Sequence, residues 1–122
     1  EVILSGNRRN YIIKELQKNN IEYRYFKNIK KTKLNELYNM LDMYIVSSRL
    51  EGGPQAILEC GLTKTPLIST DVGIASQILH TKSIFSTNPQ NAIPDTDYAY
   101  QNTLNLAIPN GMKKFRSEFS KL

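Results

Sequence analysis

Short apolar runs alternate with segments of helical period through the first eighty-five residues, and that alternation limits the fold more than any other feature. Val2-Ile3-Leu4, closed by Ser5-Gly6, reads as a buried strand and its turn. Ile12, Ile13 and Leu16 follow at helical spacing until Asn19-Asn20 stops them. Ile21 to Ile29, with Tyr23, Tyr25 and Phe26, reads as a second strand. Thr32 is the expected N-cap of a helix whose Leu34, Leu37, Tyr38 and Leu41 form an i, i+3, i+4, i+7 stripe. Met43 to Val46 is a third strand, Pro54 to about Thr63 a helix, and Pro66 to Thr70 a fourth strand. A short helix over Ala75–Leu79 and a short strand at Ser83-Ile84-Phe85 complete the alternation. Asn88 to Asp97 reads as a polar surface loop, followed by helices over Tyr98–Ala107 and Gly111–Leu122.

Strands that are apolar throughout are buried on both faces, which requires a parallel sheet covered by helices. Right-handed crossovers then make the expected fold α/β: a Rossmann-like, doubly wound parallel sheet with helices on both faces. No internal repeat or boundary divides the chain, so one domain over residues 1–122 is expected. With 122 residues, 40% of them apolar, it can build a real core. No apolar run approaches the ~20 residues that a bilayer span needs.

Several chemistries are excluded or disfavoured by what the chain lacks. The single Cys60 cannot form an internal disulfide, and no Asn-x-Ser/Thr sequon is present, so a cytoplasmic location is expected. One His (His80) and one Cys make no metal-ligand cluster, so no metal and no cofactor are expected. His80 reads as a helix-end residue and Cys60 as a core residue. The net charge is +5, and all of the excess lies in residues 1–50, densest at Lys27, Lys30, Lys31 and Lys33. Such an excess attracts a phosphorylated ligand or an anionic membrane face, or is simply a solvated lysine-rich loop. No basic-aromatic platform or helix-turn-helix accompanies it, so nucleic acid is not an expected partner.

Ligands of parallel α/β sheets bind beyond the carboxyl ends of the strands. There the third strand runs into Arg49-Leu50-Glu51-Gly52-Gly53-Pro54-Gln55. Gly52 and Gly53 let a ligand approach the backbone, and Pro54 suits the first helical position. The N–H groups of Gln55 and Ala56 then face outward at the positive end of the helix dipole, an anion site suited to phosphate. Glu51 precedes this site and Glu59 lies one turn after Gln55. Acids beside a phosphate site need other partners, and sugar or ribose hydroxyls supply them.

The stretch Glu51-Gly-Gly-Pro-Gln-Ala-Ile-Leu-Glu59 resembles the signature of retaining family 4 glycosyltransferases of the GT-B fold. Leu34-x-x-Leu-Tyr-x-x-Leu-Asp42-Met-Tyr-Ile-Val-Ser-Ser48 upstream and Pro66-Leu-Ile-Ser-Thr-Asp71-Val-Gly73 downstream extend the likeness, as does Phe26-Lys27-Asn28-Ile29. The resemblance covers about residues 1–80. It implies the donor-nucleotide half of an enzyme that moves a sugar from a nucleotide-diphosphate sugar, a UDP- or GDP-sugar for example, to an acceptor hydroxyl. It further implies retention without a metal. By the same resemblance Glu51 is the catalytic residue that orients the donor sugar. The N–H groups of Gly52, Gly53, Gln55 and Ala56 face the diphosphate or sugar, Glu59 accepts from the ribose hydroxyls, and Lys27, Asn28 and Ile29 flank the base.

Asn28 stands where the family often has Gly, and Lys64 where it usually has a helix-ending Gly. A left-handed Lys is strained, so a remodelled turn is expected there. The chain opens at what aligns with the family's second strand. The first strand, its diphosphate loop and the N-terminal acceptor domain are therefore expected to be missing partners, and the piece to be inactive alone. A parent resting peripherally on a membrane is compatible with the charge. The Met112, Phe115 and Phe119 stripe reads as packing or as a surface for the missing domain, which would favour self-association if exposed. Two alternatives differ in what they ask of Glu51 and Glu59. A GT-B sugar-nucleotide epimerase needs further acid/base groups, and a non-catalytic Rossmann-like module has no use for the pair.

Overall fold

In the computed structural model, which describes residues 1–121, the chain forms an α/β fold of parallel strands with flanking helices. Leu122, the last residue of the expected C-terminal helix, lies outside the described residues. The chain divides into two compact units, Glu1–Leu34 and Asn35–Leu122.

In the first unit, β1 (Val2–Ser5) pairs in parallel with β2 (Tyr23–Phe26) across the crossover helix α1 (Asn10–Lys18). The register sets Val2 opposite Tyr23 and Ser5 opposite Phe26. Asn19 and Asn20 end α1 as expected, Asn20 at φ 54. The second strand is shorter than its apolar run suggests, and it alternates. Tyr23 and Tyr25 are half-buried while Arg24 and Phe26 are exposed, so the expected burial of both faces fails here. α2 (Lys31–Met40) begins one residue before Thr32, which is therefore a helical residue and not the cap.

The second unit holds a three-stranded parallel sheet in the order β3 (Tyr44–Val46), β4 (Leu67–Thr70), β5 (Ile84–Phe85). β4 is the strand that meets the expectation of burial on both faces: Leu67, Ile68 and Ser69 are all buried. It has a strand on each side, whereas edge strand β3 leaves Ile45 47% exposed. The crossover α3 (Gln55–Thr63) packs on the sheet and on α5 (Thr96–Leu104), and the short α4 (Ala75–Ile78) also meets α5. Ile57, Cys60, Ile68, Ile78 and Ala99 form the centre of this core. Burial pushes the Cys60 thiol up to about 12, with the nearby Glu59 charge adding to it, so the group is a packed apolar residue as expected. His80 lies two residues beyond α4 and accepts the Lys82 N–H at Nδ1, 3.2 Å away, so that it caps the start of a 3₁₀ turn and does not end a helix as expected. The polar stretch after residue 88 holds a further 3₁₀ turn, and Thr96, expected in the loop, begins α5. α6 (Asn110–Phe119) exposes Met112, Phe115 and Phe119.

One backbone expectation is corrected. Lys64 adopts the left-handed conformation, φ 55 and ψ 31, so the turn after α3 is not remodelled. The Thr65 N–H returns to the Cys60 carbonyl at 2.9 Å and the Lys64 N–H to that of Gly61, which is the bond pattern of a Schellman cap. The side chain recovers part of the strain by lying over the Tyr100 ring, 4.5 Å from its centroid, and 3.3 Å from Asp97. Asn28, by contrast, takes no positive φ, since Arg8, Asn20 and Lys64 are the non-glycine residues that do among those described.

Candidate functional site

Parallel pairing places the outgoing loops of each sheet at the carboxyl ends of its strands, and in each unit a cleft lies at that end. In the first unit, Ser5 at the end of β1, Gly6 just past it, and Lys27, Asn28 and Ile29 after β2 line a cleft of about 290 Å³ together with Leu34. The three residues that the resemblance assigns to the base thus share one wall. Gly6, at φ 85, continues the pairing with an N–H bond to the Phe26 carbonyl at 3.1 Å. Its own carbonyl accepts the Tyr25 hydroxyl at 3.0 Å. Arg9 is tied by Nε to the Ser5 carbonyl at 2.8 Å, which holds a cation beside the end of β1.

In the second unit, β3 leads to the loop 47–54 and then to α3. Pro54 is the cap of α3 and not its first helical residue: its ψ of 113 is extended, and its carbonyl accepts the Ile57 N–H at 3.0 Å. No side chain caps this end. The N–H groups of Gln55 and Ala56 therefore stand at the positive end of the dipole without helical acceptors. Glu51, Gly52, Gly53 and Gln55 are exposed and Ala56 is half-buried. Around Gly52 and Gly53, no heavy atom lies within 4 Å of where a Cβ would stand.

This loop does not stand alone. Gly73, at φ 55 in the loop after β4, backs directly onto it. A Cβ there would lie 2.9 Å from Gly53 N and 3.0 Å from Pro54 Cδ. Glycine is needed at 73 both for its backbone angle and for that approach. The paired loops border a second cleft of about 420 Å³ at the carboxyl ends of β3, β4 and β5. Ser48, Arg49, Thr70, Asp71 and Ser86 give it polar walls, and Ile84 and Phe85 an apolar one. Thr70 Oγ1 donates to the Ser48 carbonyl at 2.6 Å and so ties the exits of β3 and β4 together. Glu51, Gly52, Gly53, Gln55, Ala56 and Glu59 are not part of this lining. Sequence reasoning assigned no role to Arg49, Thr70, Asp71 or Ser86, although each stands at or just past a strand end, the position that parallel topology singles out.

Glu59 is half-buried one turn into α3, and its Oε2 accepts the Tyr38 hydroxyl at 2.6 Å. Tyr38 reads in the sequence as a packing residue, and its ring is one: it is 6% exposed and 5.7 Å from the Tyr44 ring. What that reading missed is the hydroxyl. Burial, then the bond to Glu59 and its charge, hold the phenol protonated far above the usual tyrosine range. A buried tyrosine needs a partner for its O–H, and that was the available signal.

The described residues hold no group of three or more His, Cys, Asp or Glu arranged to bind a metal. Among them no helix is long and apolar enough to cross a membrane. The family model of the glycosyl transferases group 1 matches residues 2–98, which span every strand of both sheets. Comparison with curated proteins found no match.

Proposed function

Because the chain belongs to the glycosyl transferases group 1 family, we propose that it is the donor-binding part of an enzyme that transfers a sugar from a nucleotide-diphosphate sugar to an acceptor hydroxyl. The observation that carries this reading is the start of α3. It is a helix N-terminus that no side chain caps, behind two glycines with open space around them, with Glu51 before it and Glu59 one turn beyond. Exposed N–H groups and the helix dipole suit a diphosphate, and the two carboxylates suit hydroxyls.

In this proposal the N–H groups of Gly52, Gly53, Gln55 and Ala56 face the diphosphate or sugar. Glu51 orients the donor sugar and Glu59 accepts from the ribose. Lys27, Asn28 and Ile29 flank the base, the cleft they line in the first unit being the support for that role. Retention at the anomeric carbon without a metal, and dependence on an acceptor-binding domain for turnover, belong to the same proposal and rest on the resemblance of residues 51–59.

Calorimetry of this chain with UDP, GDP and ADP and their sugar conjugates tests it. One diphosphate should bind saturably, and Glu59→Ala should weaken it by about tenfold, as expected when a hydrogen bond to a charged acceptor is lost. Glu51→Gln should weaken the sugar conjugate more than the bare diphosphate. Failure of all three nucleotides at millimolar concentration would refute the proposal.

A further inference from the structure

A carboxylate on a helix surface ordinarily samples several rotamers, and each ligand that uses it must stop that motion. Glu59 does not have this freedom. Its Oε2 is held at 2.6 Å by a hydroxyl whose ring is 6% exposed and packed on Tyr44. The backbone of both partners is fixed as well. The hydroxyls of Thr63 and Thr65 lie 2.7 Å apart and reach the carbonyls of Glu59 and Tyr38, each at 2.9 Å. α2, α3 and the turn after α3 are thereby closed into one ring of contacts.

We infer that Tyr38 is a positioning residue: by bonding Oε2 it sets the plane of the Glu59 carboxylate and takes up one acceptor site there, which leaves Oε1 the less engaged oxygen and the one to meet a ribose hydroxyl. This rests on the reading of Glu59 as the ribose-binding residue. A phenol donates one proton and moves little, so the arrangement selects a ligand that brings its own hydroxyl donor to Oε1. A nucleotide lacking that hydroxyl leaves a partly desolvated carboxylate oxygen unmatched. The chain therefore discriminates ribonucleotides from the corresponding deoxynucleotides, and Tyr38 is required for the discrimination.

The test measures binding of whichever of UDP, GDP and ADP the chain takes, against its 2′-deoxy and 3′-deoxy forms. Wild type, Glu59→Ala and Tyr38→Phe are compared. The wild type should prefer the ribo form over one deoxy form by about tenfold, the worth of a charge-assisted hydrogen bond. Both variants should reduce that preference to about twofold or less, a range left by the weaker neutral contacts that remain. Tyr38→Phe keeps the ring and its packing, so a purely structural role would lower the melting temperature without changing the ratio. If Glu59→Ala abolishes the preference and Tyr38→Phe keeps it, the positioning role is overturned and the ribose reading stands. If Glu59→Ala leaves the preference intact, or the wild type has none, the ribose reading fails and the inference with it. Should Tyr38→Phe not fold, proton NMR of the wild-type chain decides. A slowly exchanging Tyr38 hydroxyl resonance that shifts as the nucleotide saturates supports the role, and one indifferent to the nucleotide overturns it.

Discussion

Gly61→Ala is a substitution for which local and tertiary physics give opposite signs. Gly61 lies inside α3, so alanine there should stabilise the helix by about 1 kcal/mol from propensity alone. The face it occupies is turned to α5. A Cβ at 61 would overlap Thr103 Oγ1 and stand 3.1 Å from Thr103 Cβ and 3.4 Å from the Ala99 carbonyl. Thr103 is 2% exposed and its hydroxyl donates to Ala99 O at 2.8 Å, so it has no empty space to enter. Overpacking costs about 1–3 kcal/mol, and a hydroxyl driven off its acceptor in the core about 1–3 more. Less the helix gain, the net loss is about 1–5 kcal/mol, about 3 kcal/mol at the middle of that range. For a chain of this size that lowers the melting temperature by roughly 10 °C. Thermal and urea unfolding followed by circular dichroism would measure it. The cause can be separated from the effect with Thr103→Ala, which should destabilise the wild type by about 1 kcal/mol yet recover at least that much in the Gly61→Ala background. A Gly61→Ala protein as stable as the wild type, or additivity of the two changes, would refute the close approach of α3 and α5.

The other predictions concern the loops and caps. Gly73→Ala adds left-handed strain and pushes on Gly53 N and Pro54 Cδ, so it should cost about 1–3 kcal/mol and weaken nucleotide binding, as calorimetry would show. Gly52→Ala, with nothing within 4 Å, should leave the melting temperature unchanged. Lys64→Gly relieves about 1 kcal/mol of left-handed strain and forfeits about half of that in the contact over Tyr100, so urea unfolding should show slight stabilisation. The Lys82 ammonium, 2.8 Å away, then the Tyr98 N–H and the His80 charge, lower the Asp95 carboxyl below its ordinary 3.8. A depressed folded pKa adds stability that is fully present above pH 3.8 and is lost as pH falls through the folded value. Melting temperatures at pH 5 and pH 3 should therefore fall further in wild type than in Asp95→Asn, which keeps the cap on α5 and lacks the titration.

The repeating order of strands and helices was legible because hydrophobic period is a local record of which backbone geometry can bury a segment. Apolar runs at 2–4, 43–46 and 66–70 each found a strand, and the stripe at Leu34, Leu37 and Tyr38 found its helix, which ends at Met40, one residue before Leu41. The ends were less legible. Thr32 has the chemistry of a cap yet lies inside α2, and Pro54 suits either side of a helix start because its φ of −65 fits both. Lys64 shows the same limit in the other direction. Its left-handed angle is unfavourable alone and is adopted because two carbonyls, an aromatic ring and a carboxylate meet it there.

The order of the chemistry was also a property of the chain. Glycines, proline and two acids at a spacing of eight residues mark an anion site with hydroxyl-binding flanks wherever that stretch folds as loop and helix. No spacing could show that Tyr38, twenty-one residues before Glu59, would hold its carboxylate. Nor could it show that Gly73 would back onto Gly53, or that Ser48, Asp71 and Ser86 would line one cleft. Period and propensity are settled within one or two turns of backbone. Contacts of 2.6 to 3.0 Å between separate elements depend on strand register and on how closely the helices approach, and only the folded chain decides those.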